Sequence, residues 1–244
     1  MLSVQRRVDL SIIIPALNEA ARIGSHLTAI TDYFNSRTTR YEIIVVDDGS
    51  TDHTARTVQQ FENIILLRHP VSQGKGAAVR TGMKAARGDL CLFTDADGAT
   101  KIEEIERLEM AIRGGAVLAI GSRRLAMQRG GYTVRTRWHR RVFGALFSTI
   151  VRHTTGIRDI KDTQCGFKLF RRDVAKDLFN VGRIQGYGFD LELLYIAQRR
   201  GYRISEVPVS WADQPGSKVR LMTDSLAIVR ELGIIRRNAA KGYY

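Results

Sequence analysis

The chain has 244 residues, and its 38 lysines and arginines against 25 aspartates and glutamates leave a formal net charge of +13. With 44% hydrophobic and 26% charged residues, its composition is ordinary for a globular protein that buries a substantial core. The positive excess is not ordinary, and it predicts an anionic partner: nucleic acid, a membrane surface or a phosphorylated substrate.

No segment of the sequence has the pattern of a signal peptide or of a membrane span. Charged residues at positions 6, 7 and 9 interrupt the N-terminal apolar run that a signal peptide requires. The longest apolar run elsewhere, residues 142–151, is too short to cross a bilayer. The two cysteines stand far apart and fit no metal-ligand spacing, which indicates a reducing, cytoplasmic compartment.

Strands alternate with helices through the first half of the chain. The predicted strands cover residues 8–14, 41–46, 63–67, 90–94 and 116–120. Pro15 ends the first strand, Asn18 can cap the next helix, and Thr100 with Glu103 forms a capping box behind the fourth strand. This alternation predicts a parallel sheet with right-handed crossovers.

Acidic residues follow the second and fourth predicted strands directly. Asp47 and Asp48 come after the second strand, and Asp95 and Asp97 come after the fourth. Open α/β sheets bind ligands at the carboxyl edge, so these side chains and residues 15–19 are expected to converge there. Paired carboxylates suit Mg²⁺ or Mn²⁺, whereas the alternative interpretation of Asp95 and Asp97 is a solvated turn.

The sequence contains no glycine-rich nucleotide loop of a known type. No G-x-G-x-x-G follows a strand, and the stretch Gln73-Gly74-Lys75-Gly76 lacks the spacing of a Walker A loop. A carboxylate-and-metal site for a diphosphate therefore fits better. Lys75 either contacts a phosphate or is a solvated loop lysine.

The composition changes after residue 121. An arginine-rich stretch at residues 123–141 precedes the apolar residues 142–151, which form either a core helix or an interfacial helix flanked by arginines. A strand is predicted at residues 202–209, and a final amphipathic helix starts at residue 220. With neither repeat nor linker, the chain is predicted to form one domain over residues 1–244.

Three acidic residues of the second half are candidates for the site. Asp162 either belongs to the site or caps the turn that follows it. Asp190 and Glu192 lie two residues apart on a predicted helix and cannot share a face, so we expect one at the site and the other in a structural role. The five histidines show no partner spacing and are expected at the surface.

Three short motifs, in order and spacing, resemble the inverting family 2 glycosyltransferases of GT-A fold: residues 15–19 (PALNE), 47–52 (DDGSTD) and 95–97 (DAD). In the second half, residues 162–168 (DTQCGFK) and 216–218 (GSK) are similar to the polyprenyl-phosphate glycosyltransferases, among them the dolichyl-phosphate β-glucosyltransferases. The resemblance covers nearly the whole chain. It implies an α/β fold of GT-A type, with a mostly parallel, Rossmann-like sheet flanked by helices and a C-terminal helical extension.

The resemblance also implies roles for the residues that match the family's motifs. Residues 8–121 would bind the nucleotide sugar and residues 122–244 would face the acceptor and the membrane. The implied nucleotide-sugar-binding residues are Pro15, Leu17, Glu19, Asp47 or Asp48, Lys75, Asp95, Ala96, Arg123 and Lys218. The implied metal ligands are Asp95 and Asp97, and the implied catalytic residues are Asp162 and Asp190.

The activity implied is inverting transfer of a sugar from a UDP-sugar to a polyprenyl or dolichyl phosphate, with Mg²⁺ or Mn²⁺. Glucose is the expected sugar, because Ala99 and Gln214 stand near places where mannose synthases carry Gln and Arg. A polyprenyl-phosphate mannose synthase that uses GDP-mannose stays an alternative. The sequence leaves the oligomeric state and the choice of metal open.

A non-catalytic basic scaffold that binds RNA or an anionic membrane is the alternative from another class. The intact Asp95-Ala96-Asp97 argues against it, and the absence of an RNA-binding aromatic motif predicts no nucleic-acid partner. Since the chain begins almost at the first strand, we expect peripheral contact with an anionic membrane surface, at its cytoplasmic face.

Overall fold

The computed structural model describes residues 7–135, 156–157, 159–214 and 221–244, and within the last helix it describes side chains from residue 227 onward. Two predictions lie outside these residues. One is the apolar stretch 142–151, and the other is the 216–218 motif with Lys218.

The first half of the chain alternates strictly between strands and helices. Its elements are β1 (Leu10–Ala16), α1 (Ala20–Asn35), β2 (Tyr41–Asp47), α2 (Thr54–Val58), β3 (Ile64–Arg68), α3 (Lys75–Ala85), β4 (Leu90–Thr94), α4 (Ile105–Arg113), β5 (Leu118–Ser122) and α5 (Arg123–Arg129). All five predicted strands are present, displaced by two residues at most.

The second half contains shorter strands and longer helices. Its elements are β6 (Val134–Arg135), β7 (Phe167–Arg171), α6 (Arg172–Val181), α7 (Phe189–Arg199), β8 (Ile204–Pro208), β9 (Trp211–Ala212) and α8 (Leu221–Ala240). Within the described residues, no helix is both long enough and apolar enough to cross a membrane.

Seven strands form one sheet in the order β3-β2-β1-β4-β7-β5-β8, and β6 pairs with β9 separately. β7 runs antiparallel to β4 and β5, while the other pairs of described strands are parallel. The expected mostly parallel α/β sheet is confirmed, but β7 itself was not predicted. Lys168, the second residue of this strand, interrupts the apolar run by which a buried strand is recognised.

Helices cover both faces of the sheet, which explains the continuous apolar character of β1. Ile12 and Ile14 pack on the side of α1 and α4. Ile13 packs on the opposite side, with α3, α6, α7 and α8. All three isoleucines are fully buried, so the run has no polar alternation.

Pro15 does not end the first strand, contrary to prediction. β1 continues to Ala16, and Pro15 stands opposite Val46 of β2. On its other side β1 is paired with β4 only as far as Ile13. A residue without an N–H is tolerated where the ladder on one side has already ended.

The two predicted helix caps are also wrong. The residue at the N-cap position of α1 is Glu19 and not Asn18, and the one before the short 3₁₀ turn at Ile102–Glu104 is Lys101 and not Thr100. In the described structure neither Glu19 nor Lys101 makes a side-chain capping hydrogen bond. Asn18 has a positive φ of 55° and directs its amide oxygen elsewhere. That oxygen accepts the N–H groups of Thr51, at 2.8 Å, and Asp52, at 3.2 Å, and so ties two loops of the sheet edge together.

Candidate active site

A cavity of about 280 Å³ opens at the carboxyl ends of β1, β2 and β4. Eight of the predicted site residues line it: Pro15, Leu17, Glu19, Asp48, Lys75, Asp95, Ala96 and Asp97. Among the described residues, the predicted Asp47, Arg123, Asp162 and Asp190 do not line it. Five residues outside the stretches that the sequence singled out also line it: Arg22, Ser72, Ala78, Gly186 and Tyr187.

Asp95 and Asp97 form an acidic pair at the end of β4. Burial, and then the negative charge of Asp95, raise the pKa of Asp97 above its ordinary value of 3.8. Gly166 is required behind Asp95, because a Cβ there would lie 2.0 Å from Oδ2 of Asp95. A carboxylate whose charge is disfavoured by burial and by a second carboxylate beside it is a favourable place for a cation.

The ammonium of Lys75, at the first position of α3, lies 2.6 Å from Oδ1 of Asp95. Burial disfavours its charge, but the carboxylates of Asp95 and Asp190 outweigh burial and raise the pKa of Lys75. Its nitrogen also lies 5.8 Å from the ring centroid of Tyr187. Lys75 is thus a charged group of the cavity and not a solvated loop lysine.

Arg22 is a second cation of the cavity. Its guanidinium donates two hydrogen bonds to Glu19, at 2.8 and 2.6 Å. The charges of Arg22 and Lys75 both lower the pKa of Asp97, so both cations stand near the acidic pair. The spacing of Glu19 and Arg22, three residues apart on the first turn of α1, is the signal by which Arg22 could have been found.

Asp47 and Asp48 hold the loops of the cavity in place. Each oxygen of Asp48 has two partners: His69 Nδ1 at 2.6 Å and the Gln73 N–H at 2.9 Å on Oδ1, Ser72 Oγ at 2.7 Å and the Gly74 N–H at 2.9 Å on Oδ2. Burial would raise the pKa of Asp48, but these hydrogen bonds lower it.

Asp47 is fully buried. It accepts from the Ser50 N–H at 3.0 Å and from Arg68 Nε at 3.1 Å. Of the two alternatives for a nucleotide-binding residue, Asp48 lines the cavity and Asp47 does not.

Two histidines expected at the surface are buried. His69 bridges Asp48 and the Thr81 hydroxyl, which lies 3.0 Å from Nε2. His26 packs beneath the backbone of Gly98, and burial lowers its pKa to about 4, so it is neutral. Spacing alone could not place them, because the groups that they contact lie on other elements.

Arg123 and Asp162 form a second cluster at the carboxyl end of β5. The Arg123 guanidinium donates to both oxygens of Asp162, at 2.7 and 2.8 Å, and its backbone N–H donates at 3.0 Å. It also lies 5.4 Å from the ring centroid of Trp211. β7 is antiparallel to both neighbours, so β5 is parallel to β4, and the cluster lies at the same sheet edge as Asp95.

Asp162 is buried and does not cap a turn. Burial would raise its pKa, but the Arg123 charge and hydrogen bonds lower it below 3.8. Its own backbone N–H donates to Glu206 at 2.7 Å. The acid therefore fixes the guanidinium of Arg123 in one orientation.

Asp190 and Glu192 both have partners inside the protein. Asp190 pairs with Lys168 at 2.6 Å, and their side chains are 5% and 1% exposed. Glu192 accepts the N–H groups of Arg183 and Ile184, both at 2.8 Å. The expectation that one of the two acids faces the cavity is not met in the described residues.

The acidic pair fits a divalent ion that shares its ligands with a substrate. Nowhere in the described ranges do three His, Cys, Asp or Glu side chains gather into a complete metal cage. Mg²⁺ and related hard cations are commonly held by one or two carboxylates together with substrate phosphates. Asp95 and Asp97, which line the cavity side by side at the end of β4, are the residues that would hold such an ion.

Comparison with known proteins gives one family along the chain. The profile described as "Glycosyl transferase family 2" matches residues 11–179. A dolichyl-phosphate beta-glucosyltransferase of Trichomonas vaginalis is 40% identical over 229 residues, which are 88% of this chain and 69% of that protein. The Saccharomyces cerevisiae and Homo sapiens enzymes of this name are 37% and 33% identical, covering 97% and 93% of this chain and 77% and 75% of theirs.

Solved structures of low sequence identity share the fold. Mannosyl-3-phosphoglycerate synthase from Rubrobacter xylanophilus matches with a TM-score of 0.70 at 20% identity, over 97% of this chain and 76% of that one. Glucosyl-3-phosphoglycerate synthase from Mycobacterium tuberculosis, solved with Mn²⁺, UDP and phosphoglyceric acid, matches with 0.65 at 21% identity, over 94% and 77%. With its acidic pair at the end of β4 and this sequence kinship, the chain belongs to glycosyltransferase family 2 and is a glycosyltransferase.

Proposed function

We propose that this glycosyltransferase transfers glucose, with inversion, from UDP-glucose to dolichyl phosphate or another polyprenyl phosphate. The observation that carries the proposal is the 33–40% identity to dolichyl-phosphate beta-glucosyltransferases along most of the chain. The matched stretches comprise 88–97% of this chain, which supports carrying the activity of these relatives over to it.

The cavity would hold the UDP part of the donor. Leu17 and Pro15 offer an apolar wall, and Arg22 and Lys75 offer positive charge near Asp97. Charge develops on the diphosphate as the sugar leaves, and fixed cations stabilise that charge without reorganisation. A divalent ion held by Asp95 and Asp97 would supply further positive charge to the leaving diphosphate.

Arg123 would bind the acceptor phosphate. Asp162 occupies the Nε and Nη2 donors of Arg123, which leaves the edge formed by Nη1 and Nη2 to recognise phosphate, and the face of Trp211 helps to hold the guanidinium in place. A phosphate monoester with a second pKa near ~6 is largely ionised at neutral pH and needs no general base. Asp162, whose pKa Arg123 lowers, is better suited to position Arg123 than to remove a proton.

Asp190 would act from beneath the cavity. It pairs with Lys168, and its charge favours the ammonium of Lys75. Both lysines lie near the ring of Phe93, whose centroid is 5.4 Å from Lys75 Nζ and 5.9 Å from Lys168 Nζ. We therefore assign Asp190 the role of keeping Lys75 charged and in place.

The acceptor's lipid tail requires contact with a membrane, which we propose to be peripheral, on the cytoplasmic face. In α8, the exposed Arg236 and Arg237 stand beside Val229 and Ile234, which are 42% and 37% exposed. Such a mixed cationic and apolar face is typical of helices that lie on anionic lipid.

A matrix of two donors and two acceptors tests the proposal. Rates with UDP-glucose and GDP-mannose are measured on a short polyprenyl phosphate and on the polyprenol of equal length, with Mg²⁺ and with Mn²⁺. We expect activity with UDP-glucose on the phosphate and little on the alcohol, which lacks both the nucleophilic charge and the anchor for Arg123.

Two results would contradict the proposal. A preference for GDP-mannose would make the chain a polyprenyl-phosphate mannose synthase. Equal rates on phosphate and alcohol would show that Arg123 does not recognise the acceptor phosphate.

A further inference from the structure

The segment of residues 182–188 between α6 and α7, here called the cavity loop, forms one wall of the donor cavity. Gly186 and Tyr187 supply that wall, and the Tyr187 ring lies beside the Lys75 ammonium. The loop also packs on the start of α3, where a backbone N–H of the first turn donates to the Gln185 carbonyl at 3.2 Å. The position of the loop thus determines the shape of the cavity around Lys75.

Glu231 of α8 holds the cavity loop from outside the cavity. The Gly188 N–H donates to its Oε2 at 2.7 Å, and the Gly186 N–H also donates to its carboxylate. A Cβ at position 186 would lie 2.2 Å from Oε1, and one at position 188 would lie 2.6 Å from Oε2. The carboxylate therefore packs directly on the backbone of both glycines, and a side chain at either position would displace it.

The part of α8 that carries Glu231 is held in place by the core. The neighbouring side chains Ile228, Leu232 and Ile235 are buried in the core. Glu192, at the other end of the loop, accepts the N–H groups of two loop residues. The loop is consequently anchored by one carboxylate at each end, and both anchors lie beyond residues 11–179, the part matched by the family profile.

We propose that Glu231 is a positioning residue for donor recognition. It does not line the cavity in the described structure, but it sets the wall formed by Gly186 and Tyr187, and through Tyr187 the environment of Lys75. This inference rests on the proposed binding of a nucleoside diphosphate sugar in the cavity.

The first test is the binding of UDP with Mg²⁺ to Glu231→Gln, measured by calorimetry beside the wild type. A carboxamide offers an oxygen on one side only, so one of the two backbone N–H groups loses its acceptor. We expect UDP affinity to fall roughly tenfold, as is typical when a supporting residue is lost. The KM for the donor should rise by a similar factor while the KM for the acceptor stays unchanged, a split that a merely structural role would not produce.

The matched control is Glu62→Gln, the same chemical change at an exposed acid in the loop before β3. Its UDP affinity should equal that of the wild type. Thermal melting of each variant establishes that the affinities are those of folded protein.

A second variant, Gly188→Ala, changes the contact between Glu231 and the cavity loop from the side of the loop. Gly188 has a φ of −75°, so Gly188→Ala strains no backbone, and the three nearest atoms to the new methyl all belong to Glu231. We expect Gly188→Ala to weaken UDP binding severalfold in the wild type and much less in a Glu231→Ala background. Such non-additivity is the signature of two groups that act through one contact.

The outcomes separate this inference from the proposed function. If the wild type binds UDP and both Glu231→Gln and Gly188→Ala bind it equally well, the inference is overturned while the proposed function stands. If the wild type itself does not bind UDP, the proposed donor is wrong. Additive effects in the double variant would also overturn the assignment, because Glu231 would then act independently of the loop.

Discussion

Asp97 illustrates a residue whose environment opposes its charge. Burial and the neighbouring Asp95 raise its pKa, so the folded protein gains nothing from ionising it. Carboxylates whose ionisation is unfavourable in the folded protein are typical of functional sites, where residues that activity needs often lower the stability of the fold.

We expect Asp97→Asn to lower transfer by roughly a hundredfold or more, because the divalent ion that would stabilise the leaving diphosphate loses one of its two carboxylate ligands. The melting temperature should stay the same or rise, since the repulsion with Asp95 disappears. Initial rates and thermal melting check both parts. Full activity of the wild type in the presence of a chelator would contradict the metal-dependent role of the pair.

The Arg123–Asp162 pair predicts a dependence of stability on pH. The pKa of Asp162 in the folded protein is below its ordinary value of 3.8, so the pair stabilises the fold above pH 3.8 and loses this contribution as the pH falls through the folded pKa. Below pH 3.8 the wild type should therefore lose stability more steeply than Asp162→Asn, which has no such proton to gain.

Urea unfolding of wild type and Asp162→Asn between pH 3 and 7 measures this difference. At neutral pH the variant should be the less stable one, because the largely buried Arg123 loses its counter-ion. If the unfolding free energies of the two proteins change in parallel with pH, the pair makes no pH-dependent contribution to stability.

At the scale of elements, β7 lies inside the sheet with a charged residue, Lys168, which requires a buried ion-pair partner. Its second residue, Lys168, is buried between β4 and β5, and its charge is balanced by Asp190 from α7. The Cys165 carbonyl accepts a second hydrogen bond from the same ammonium, at 2.6 Å. The strand and the helix are therefore coupled through one ion pair.

Breaking this pair from one side should be costly. Asp190→Asn leaves the Lys168 charge uncompensated, and we expect a loss of about 3–5 kcal/mol in the free energy of unfolding. Replacing both residues, as Lys168→Met with Asp190→Leu, should recover most of that loss while lowering activity, because Lys75 loses a favourable neighbour. Denaturant titration of the single and double variants decides this, and a double variant less stable than the single one would refute the account.

At the scale of the whole molecule, the net charge of +13 is consistent with association with an anionic surface. The charges are distributed over both faces of the sheet. α8 lies on one face with Arg236 and Arg237 exposed, and α4 lies on the other with Arg107 and Arg113. This arrangement offers a matched comparison.

We expect Arg236→Ala with Arg237→Ala to weaken binding to anionic vesicles by about 2 kcal/mol, or roughly 30-fold, since each basic residue at the surface contributes about 1 kcal/mol. Arg107→Ala with Arg113→Ala removes the same charge from the opposite face and should have a smaller effect. Co-sedimentation with neutral and anionic vesicles measures both. Equal binding of the wild type to the two kinds of vesicle would refute the electrostatic part.

The amino-acid sequence alone determined the α/β alternation, the five strands of the first half and the carboxylates at their ends. These signals are local: apolar runs of strand length, followed at once by acidic residues, define both an element and the edge where it ends. The pattern placed residues 15–19 and the acidic ends of the second and fourth strands at one edge, whereas the resemblance to family 2 glycosyltransferases implied the individual residues, eight of which line the cavity.

The tertiary structure decided which partner each buried charged residue has. Asp162 is bound to Arg123, 39 residues away, and Asp190 to Lys168, 22 residues away, and no spacing rule connects such positions. The direction of β7, the burial of His69 and the contact of Glu231 with the cavity loop likewise depend on which elements pack together. Local pattern shows where a charged residue stands along the chain, whereas its pKa and its role depend on the long-range neighbours that neutralise it.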